Sequence, residues 1–309
     1  MKFLNKVKKI HLCGYNLPLH DESEFQDFIR AQCIPEKEVK YCQYLVGGIE
    51  LKFSDGKLSG AYELDEGYKG QLELTEASKS FSYFEAEPHP IHFFVPSKRP
   101  EKSYLGGRPG NNQFKIPIVE DIKAPFQFIG CLSPEEPGLS WLGMGQFNIV
   151  YPLFADITDE KWYFDYSDEN HPRVLNKLEA GKISYPYGTF SPKLIHEFEP
   201  APIRLMPITS VREKDFLSFD FWHHGNLGVP VWVQHPEYPR CPISGRPMRF
   251  VCQIDPGDTQ KIMASRSELC PEKESHLEYM NNLRFWGSGT LYIFMEPETR
   301  TVCMFIQDT

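Results

Sequence analysis

The sequence repeats one order of motifs, and this repetition constrains the fold more than any other feature. Four blocks recur in the same order along the chain. They are EPHPI at 87–91 and EPAPI at 199–203, YLGGRP at 104–109 and NLGVP at 226–230, PFQFIGCLSP at 125–134 and PMRFVCQIDP at 247–256, and GxGxFxI at 143–149 and GxGxLxI at 287–293. Because four blocks keep one order, we predict an internal duplication.

The spacing between the two copies grows along the chain. The offset is 112 residues between Glu87 and Glu199, 122 between Leu105 and Leu227, and 144 between Gly143 and Gly287. The differences place insertions of 10 and 22 residues in the second copy, and loops absorb such insertions at small cost. Because the period far exceeds the roughly 20 to 50 residues of solenoid repeats, we predict two similar lobes, which can interleave, rather than a linear array.

The repeated blocks have the pattern of β-strands. In residues 248–255 apolar and polar side chains mostly alternate, and this period of two is typical of a half-buried strand. Residues 126–132 keep the same phase in the first copy. A second alternating run follows each Gly-x-Gly, at 147–151 and at 291–295. Each copy is therefore predicted to contain a pair of strands.

Other segments extend this β-rich pattern. Further strands are predicted at Tyr41–Phe53, Lys57–Leu64, Gly70–Leu74, Ile91–Val95 and Thr301–Gln307, with a hairpin turn at Ser54-Asp55-Gly56. Helices are predicted at Asp21–Cys33, His171–Ala180 and Glu272–Leu283. The predicted fold class is α+β and predominantly antiparallel β, an internally duplicated domain with two similar lobes and a few short helices.

The predicted domain boundaries follow the repeat. Residues 1–83 are expected to form an N-terminal helix and β-hairpins that pack on the first lobe. Residues 84–195 are expected to form the first repeat copy with a helical connection, and residues 196–309 the second copy with a helical insertion.

Local composition argues against membrane insertion and secretion. The longest apolar run, residues 147–154, is interrupted by Asn148 and Pro152 and is far shorter than the roughly 20 residues that span a bilayer. Lys6, Lys8 and Lys9 lie where a signal peptide would be apolar. We therefore predict a cytoplasmic, unprocessed protein with no membrane partner.

The charge and the cysteines exclude further classes. A net charge of -9 without a basic block argues against broad binding to nucleic-acid phosphates. The 8 cysteines include no Cys-x-x-Cys pair, which favours reduced thiols over a disulfide framework or a structural zinc site. No cofactor and no metal are predicted.

The order of the motifs resembles the YwqG-like family of bacterial proteins, which is similar in turn to the C-terminal domain of the eukaryotic programmed cell death protein 2 group. The resemblance is carried by Leu-Gly-Gly-x-Pro at 105–109, a Pro-Met-x-Phe-x-x-Gln strand at 247–254 and Gly-x-Gly at 287–289. It covers roughly residues 84 to 309.

This resemblance implies a duplicated, mostly β domain without established catalysis. For the eukaryotic relatives it implies a chaperone-like role in handling a ribosomal protein, and for the bacterial ones an unassigned role, with immunity against a toxin among the suggestions. Some relatives carry Cys-x-x-Cys where this chain has Cys241-Pro242-Ile243-Ser244. No metal site is therefore carried over.

The densest group of candidate binding residues lies at 221–241, FWHHGNLGVPVWVQHPEYPRC. Aromatic side chains with polar tips are the usual anchors of binding surfaces, so this segment predicts a recognition patch. The partner-binding candidates are Trp222, His224, Trp232, Gln234, His235 and Tyr238, together with Arg108 from the glycine-rich block. The alternative is that the tryptophans pack in the core, the histidines bind loop carbonyls and Arg108 is a surface arginine.

A metal site in the same segment has weaker support. It would need His223, His224, His235 and Cys241 to converge in a tetrahedron. Neighbouring histidines on a strand point to opposite faces, so His223 and His224 would not both bind one metal easily.

Catalytic arrangements are also weakly supported. An acid-base pair among Asp165, Asp168 and Glu169 would need two environments that separate their pKa values, whereas acids clustered beside a turn are commonly helix caps or solvated. The sequence has no Gly-x-Ser-x-Gly elbow, and residues 105–110 lack the Gly-Lys-Ser/Thr ending of a phosphate loop.

Two classes of function therefore remain. We favour a non-catalytic, chaperone-like protein that holds a basic protein partner, either in a groove between the lobes or on residues 222–238. The alternatives are an RNA-processing or small-molecule hydrolytic enzyme that uses His224, His235 and nearby acids, and an immunity protein against a toxin. The sequence leaves the oligomeric state open.

Overall fold

The computed structural model describes most of the chain beyond residue 91 and the backbone of four strands before it. The described residues are 43–46, 49–54, 57–65, 68–71, 92–157, 161–177, 181–207, 223–228, 230, 233, 237–246, 248–255, 261–286 and 289–308. Within them the protein is β-rich, every strand pair is antiparallel, and there is one α-helix.

The first four strands form a separate antiparallel sheet. They are β1 (Gln43–Val46), β2 (Ile49–Ser54), β3 (Lys57–Asp65) and β4 (Tyr68–Gln71), paired in chain order. Ser54 pairs with Lys57, as the predicted hairpin requires. Two strands replace the single strand predicted at Tyr41–Phe53. The predicted helix at Asp21–Cys33 lies outside the described residues.

An 11-stranded sheet carries the rest of the fold. Its strands are β5 (His92–Pro96), β6 (Ser103–Leu105), β7 (Gln127–Leu132), β8 (Phe147–Tyr151), β10 (Trp162–Asp165), β11 (Arg173–Val174), β14 (Ala201–Pro207), β15 (Gly225–Leu227), β16 (Arg249–Ile254), β18 (Thr290–Glu296) and β19 (Thr301–Gln307). Their spatial order is β11-β10-β19-β18-β16-β15-β5-β14-β6-β7-β8.

The smaller elements lie between these strands. Strand β9 (Asp156–Ile157) pairs with β12 (Ile183–Ser184), and β13 (His196–Phe198) pairs with β17 (Ala264–Ser267). A 3-10 turn covers Ser140–Leu142, and helix α1 covers Glu274–Met280. Helix α1 lies within the helix predicted at Glu272–Leu283.

The centre of the sheet joins the two predicted repeat copies. Strand β5 pairs with β14. These are the first strands that the two predicted copies contribute to this sheet, and they lie side by side. Each of them also pairs with a strand of the other copy, β5 with β15 and β14 with β6. The strands of residues 84–195 and 196–309 therefore alternate at the centre rather than forming separate sheets.

On either side of this centre, two strand hairpins have the same register. Gly130 pairs with Ile149 as Cys252 pairs with Ile293, and Cys131 pairs with Asn148 as Gln253 pairs with Tyr292. Likewise, Leu105 pairs with Gly130 as Leu227 pairs with Cys252. Both ladders also shift register at the same place, between Phe128 and Gly130 and between Phe250 and Cys252. These positions keep the offsets of 122 and 144 residues seen in the sequence.

The central strands give a different offset for the first block. Leu105 pairs with Ala201, and Leu227 pairs with His92. His92 and Ala201 therefore occupy corresponding positions, 109 residues apart, whereas the EPHPI and EPAPI motifs are 112 apart. The proline motifs are displaced by three residues relative to the strand pairing.

The sheet closes over one large core. Strand β8 is at one end of the strand order and β10 is next to the other end, yet the rings of Tyr151 and Trp162 lie 6.5 Å apart. The Tyr166 hydroxyl donates to the Asn148 carbonyl over 2.8 Å. Because both ends pack on the same interior, strands predicted to be half-buried, such as β7 and β16, are buried along their whole length.

Strand β16 separates two apolar clusters. Val251, Cys252 and Ile254 belong to the main core, whereas Phe250 packs with Met248 in a smaller cluster that also contains Tyr292, Phe294 and Phe305. Aromatic and β-branched side chains on both faces explain why this strand is stable at such a central place.

The helix predicted at His171–Ala180 is wrong for the residues that the structure describes. Residues 171–177 contain the short strand β11 and no helical turn. Asn176 holds this segment on β10, because its Oδ1 accepts from the Tyr163 backbone N–H and its Nδ2 donates to the Lys161 carbonyl, both over 2.6 Å. These side-chain bonds replace those that a helix would make.

Candidate functional site

The structure describes three of the seven predicted partner-binding residues. His224, Tyr238 and Arg108 are described, whereas Trp222, Trp232, Gln234 and His235 lie outside the described residues. The predicted recognition patch therefore stays a prediction for most of its members.

His224 is buried in the packed interior, and Tyr238 is partly buried against it. His224 is 3% exposed, its backbone N–H donates to the Phe94 carbonyl over 2.7 Å, and its carbonyl accepts from Asp255 over 2.8 Å. The Tyr238 ring meets Phe294 edge to face at 6.0 Å, against the smaller cluster. His224 is packed in this structure, and the partner-binding role of both residues stays a prediction.

Arg108 lies in an open groove. The groove has a volume of about 460 Å³. It is lined by Pro100, Glu101, Tyr104, Gly107, Arg108, Glu197, Phe198, Pro200, Pro202 and Ser265. Residues 100–108 belong to the predicted first copy and residues 197–265 to the predicted second copy, so the groove is lined by residues of both segments.

A glycine pair brings the two walls of this groove together. Gly107 donates its backbone N–H to the Phe198 carbonyl over 2.9 Å, and Gly106 donates to Ile129 over 2.8 Å. Gly106 has a φ of +63°, and a Cβ there would lie 2.2 Å from the Glu199 carbonyl oxygen. Only glycine permits both the left-handed backbone and this close approach.

Tyr104 forms one wall and fixes the loop that carries Arg108. Its hydroxyl donates to the Arg108 carbonyl over 2.7 Å. Burial is the main cause that raises the pKa of Tyr104 to about 12. The hydroxyl therefore keeps its proton at neutral pH and remains a hydrogen-bond donor.

Charged groups also line the groove. Arg108 donates from Nε over 3.0 Å and from NH2 over 2.8 Å to Oε2 of Glu197. The Arg108 side chain is 70% exposed and that of Glu197 is 24% exposed. An ion pair this exposed contributes little to stability, so Arg108 is a surface arginine that lines a site.

The acidic cluster considered for acid-base chemistry forms turns instead. Asp165 accepts from Ser167 N–H over 2.8 Å and from Arg173 over 2.5 Å, and although burial opposes it, these bonds lower the pKa of Asp165. The hydrogen bond with His171 lowers the pKa of Asp168. Both carboxyl groups are therefore ionised at neutral pH, whereas a general acid needs a raised pKa.

The third acid of this cluster closes a second, polar cleft. Glu169 accepts the Gly145 N–H over 2.7 Å, and Arg300 donates to the Gly143 carbonyl over 2.8 Å. The cleft has a volume of about 640 Å³. Glu169 and Arg300 bind the backbone of the Gly-x-Gly block, which assigns these two side chains a structural role.

Cys241 has a perturbed thiol in a tight turn. Although burial acts in the other direction, hydrogen bonds from Ser244 and Thr299 lower the pKa of Cys241. Its Sγ lies 3.4 Å from the Ser244 backbone nitrogen and 3.4 Å from Thr299 Oγ1. Within the described residues, no three His, Cys, Asp or Glu side chains are placed to hold a metal ion.

Most of the residues that line the groove were not predicted from the sequence as site residues. Pro200 and Pro202 were identified only as part of a repeated motif, and Glu197 and Ser265 were not identified. One signal for the groove was present in the sequence. The LGG and EPAP motifs are rich in glycine and proline, which is typical of loops that approach each other closely.

Comparison with known proteins finds no relative, since no family model, no curated protein and no solved structure matches the chain. In the part of the chain that the structure describes, no helix has the length and apolar character needed to cross a membrane.

Proposed function

We propose that this chain is a non-catalytic binding protein of the YwqG-like type, internally duplicated, that holds a segment of a basic protein partner in the groove beside Arg108. Each part of this proposal depends on separate observations. The duplication is supported by strand register, and the binding site is supported by the groove and its charges.

The registers of the two hairpins support the duplication. Residue pairs in the β7–β8 ladder correspond to pairs in the β16–β18 ladder at constant offsets, including the register shift. A shift at the same place in two unrelated hairpins would be a coincidence, because bulges are specific local features of a fold. The alternation of β5, β14, β6 and β15 at the centre supports interleaved copies.

The observation that carries the binding function is the position of the groove. It lies where the glycine-rich loop of one copy meets the proline-rich segment of the other, and its walls are hydrogen-bonded backbone. Open apolar grooves with a few polar groups are the usual places for ligands. The surface of prolines and one tyrosine is suited to an extended polypeptide.

The charges support a basic occupant. Glu101 and Glu197 line the groove with Arg108 as the single cation among its lining residues. The whole chain has a net charge of -9. Complementary charge of this kind favours encounter with a basic partner and discriminates against acidic ones.

Site-specific photo-crosslinking tests this function. A benzophenone amino acid replaces the exposed Ser265 in the groove, and a matched control replaces Ile243, which is 59% exposed in the turn after Cys241. In native lysate with and without RNase, we expect one protein to be crosslinked from position 265 in both conditions and not from position 243. Equal crosslinking from both positions, none from either, or crosslinking that RNase abolishes would reject the function.

A further inference from the structure

The ion pair in the groove leaves one carboxylate oxygen unused. Both nitrogens of Arg108 that bond to Glu197 converge on Oε2, at 3.0 and 2.8 Å. Among the residues that the structure describes, no donor is hydrogen-bonded to Oε1 of Glu197. The carboxylate therefore has the capacity to accept a second cationic group.

A second acid beside this pair is not neutralised. Glu101 accepts a hydrogen bond from Ser97 Oγ over 2.7 Å, and within residues 92–157 and the other described ranges it forms no ion pair. Glu101 and Glu197 together carry two negative charges against one positive charge on Arg108. The groove thus has a net negative charge.

Arg108 is held weakly by its side chain and firmly by its backbone. The loop is fixed by the Gly107 N–H to Phe198 bond and by the Tyr104 hydroxyl, neither of which involves the guanidinium group. The Arg108 side chain is 70% exposed, and exposed ion pairs are easily exchanged. The side chain can leave Glu197 while the walls of the groove stay in place.

We propose that Arg108 is an internal substitute for a cationic side chain of the partner, and that binding replaces it at Glu197 with a Lys or Arg from an extended segment containing proline. This inference rests on the proposed function of the groove. Pro100, Pro200 and Pro202 offer a rigid apolar surface for the prolines of such a segment, and a polyproline conformation loses little entropy on binding. Arg108 competes with the partner and lowers its affinity.

The test uses fluorescein-labelled Ala-Pro-Xaa-Pro-Ala peptides with blocked ends, where Xaa is Lys, norleucine or Glu, measured by fluorescence anisotropy. The proteins are the wild type, Arg108→Met, Glu197→Gln and Lys193→Met. Lys193 forms an exposed ion pair with Glu120 outside the groove, so Lys193→Met is matched in charge to Arg108→Met.

The expected effects have opposite signs for the two members of the pair. Arg108→Met binds the Lys peptide about two- to fivefold more tightly than the wild type, because an exposed competitor is removed. Glu197→Gln binds it about tenfold more weakly, because the acceptor has lost its charge. Lys193→Met leaves the affinity unchanged, and the norleucine and Glu peptides bind more weakly than the Lys peptide.

Three results would overturn the inference. They are weaker binding of the Lys peptide by Arg108→Met, equal or tighter binding of the Glu peptide, and no binding of any peptide. None of them decides the proposed function, because crosslinking from position 265 reports occupation of the groove whatever the chemistry of the occupant. If crosslinking fails as well, the function and the inference are both rejected.

Discussion

The hairpin of β7 and β8 and the hairpin of β16 and β18 have the same ladder but different connections. Residues 133–146 join the strands of the first hairpin and contain a 3-10 turn. Residues 255–289 join the strands of the second and contain β17 and α1. The framework is shared, and the added chain occurs where a loop permits it at small entropic cost.

Two residues that line the groove, Ser265 and Arg108, lie where the two predicted copies differ. Ser265 belongs to the longer connection, and β17 pairs there with β13, which carries Glu197. Arg108 belongs to YLGGRP, whereas the corresponding motif NLGVP is one residue shorter and has no arginine. The two similar ladders therefore form the framework, while the groove also draws on residues that the predicted copies do not share.

The largest expected effect tests the shared framework. Phe128 and Phe250 occupy corresponding positions beside the register shift and are 4% and 1% exposed. Phe128→Ala and Phe250→Ala should each lower the free energy of unfolding by about 3–5 kcal/mol, since each leaves a cavity in a packed core. Urea unfolding followed by circular dichroism measures both losses.

The same experiment tests whether the two hairpins unfold together. Because β5 pairs with β15 and β14 with β6, we expect one cooperative transition for each variant rather than two. If Phe128→Ala produced a separate early transition, the two halves would unfold independently and the interleaved arrangement would be rejected.

The ladders and α1 could be predicted from the sequence, whereas the groove could not. Alternation and glycine-rich turns are local signals, so β7, β8, β16, β18 and α1 all lie where they were expected. The groove depends on which loops meet in space, and no local pattern encodes that Gly107 bonds to Phe198, 91 residues away in sequence.

The predicted helix at His171–Ala180 failed because tertiary contacts override local patterns. Residues 171–177 were predicted to belong to a helix that ends at Gly181, but the side chain of Asn176 binds the backbone of β10 and holds them at the edge of the sheet. The place of His224 in the recognition patch stays a prediction, and its backbone bonds both to Phe94 and to Asp255. Burial of this kind is not visible in composition.

A second, smaller effect concerns β13, the strand beside the groove. His196 is 5% exposed, with its ring 5.4 Å from that of Phe154 and 4.8 Å from that of Phe198. Burial is the main cause that lowers the pKa of His196 to about 4. Below the unfolded-state pKa of about 6.5, the unfolded chain binds a proton that the folded protein excludes until about pH 4. Stability is therefore lost as the pH falls through this window.

The size of this loss is measurable. Linkage predicts that His196 lowers the free energy of unfolding by about 2 kcal/mol between pH 7.5 and pH 5. His196→Leu should remove that part of the pH dependence in urea unfolding, while His276→Gln on α1 should leave it in place. An unchanged slope in His196→Leu would show that the proton uptake occurs elsewhere.

The smallest expected effect tests whether α1, in the connection between β16 and β18, packs on residues of the predicted first copy. Tyr279 of α1 stacks on Tyr187, with ring centroids 4.5 Å apart and planes inclined by 12°. Stacked aromatic pairs contribute about 0.5–1.5 kcal/mol beyond their buried area. A double-mutant cycle of Tyr187→Leu and Tyr279→Leu should give a coupling free energy in this range by urea unfolding, because the single changes also lose contacts that the cycle cancels. A coupling of zero would mean that α1 does not pack on Tyr187 in solution, and the groove wall formed by β17 would then lack this support from the first copy.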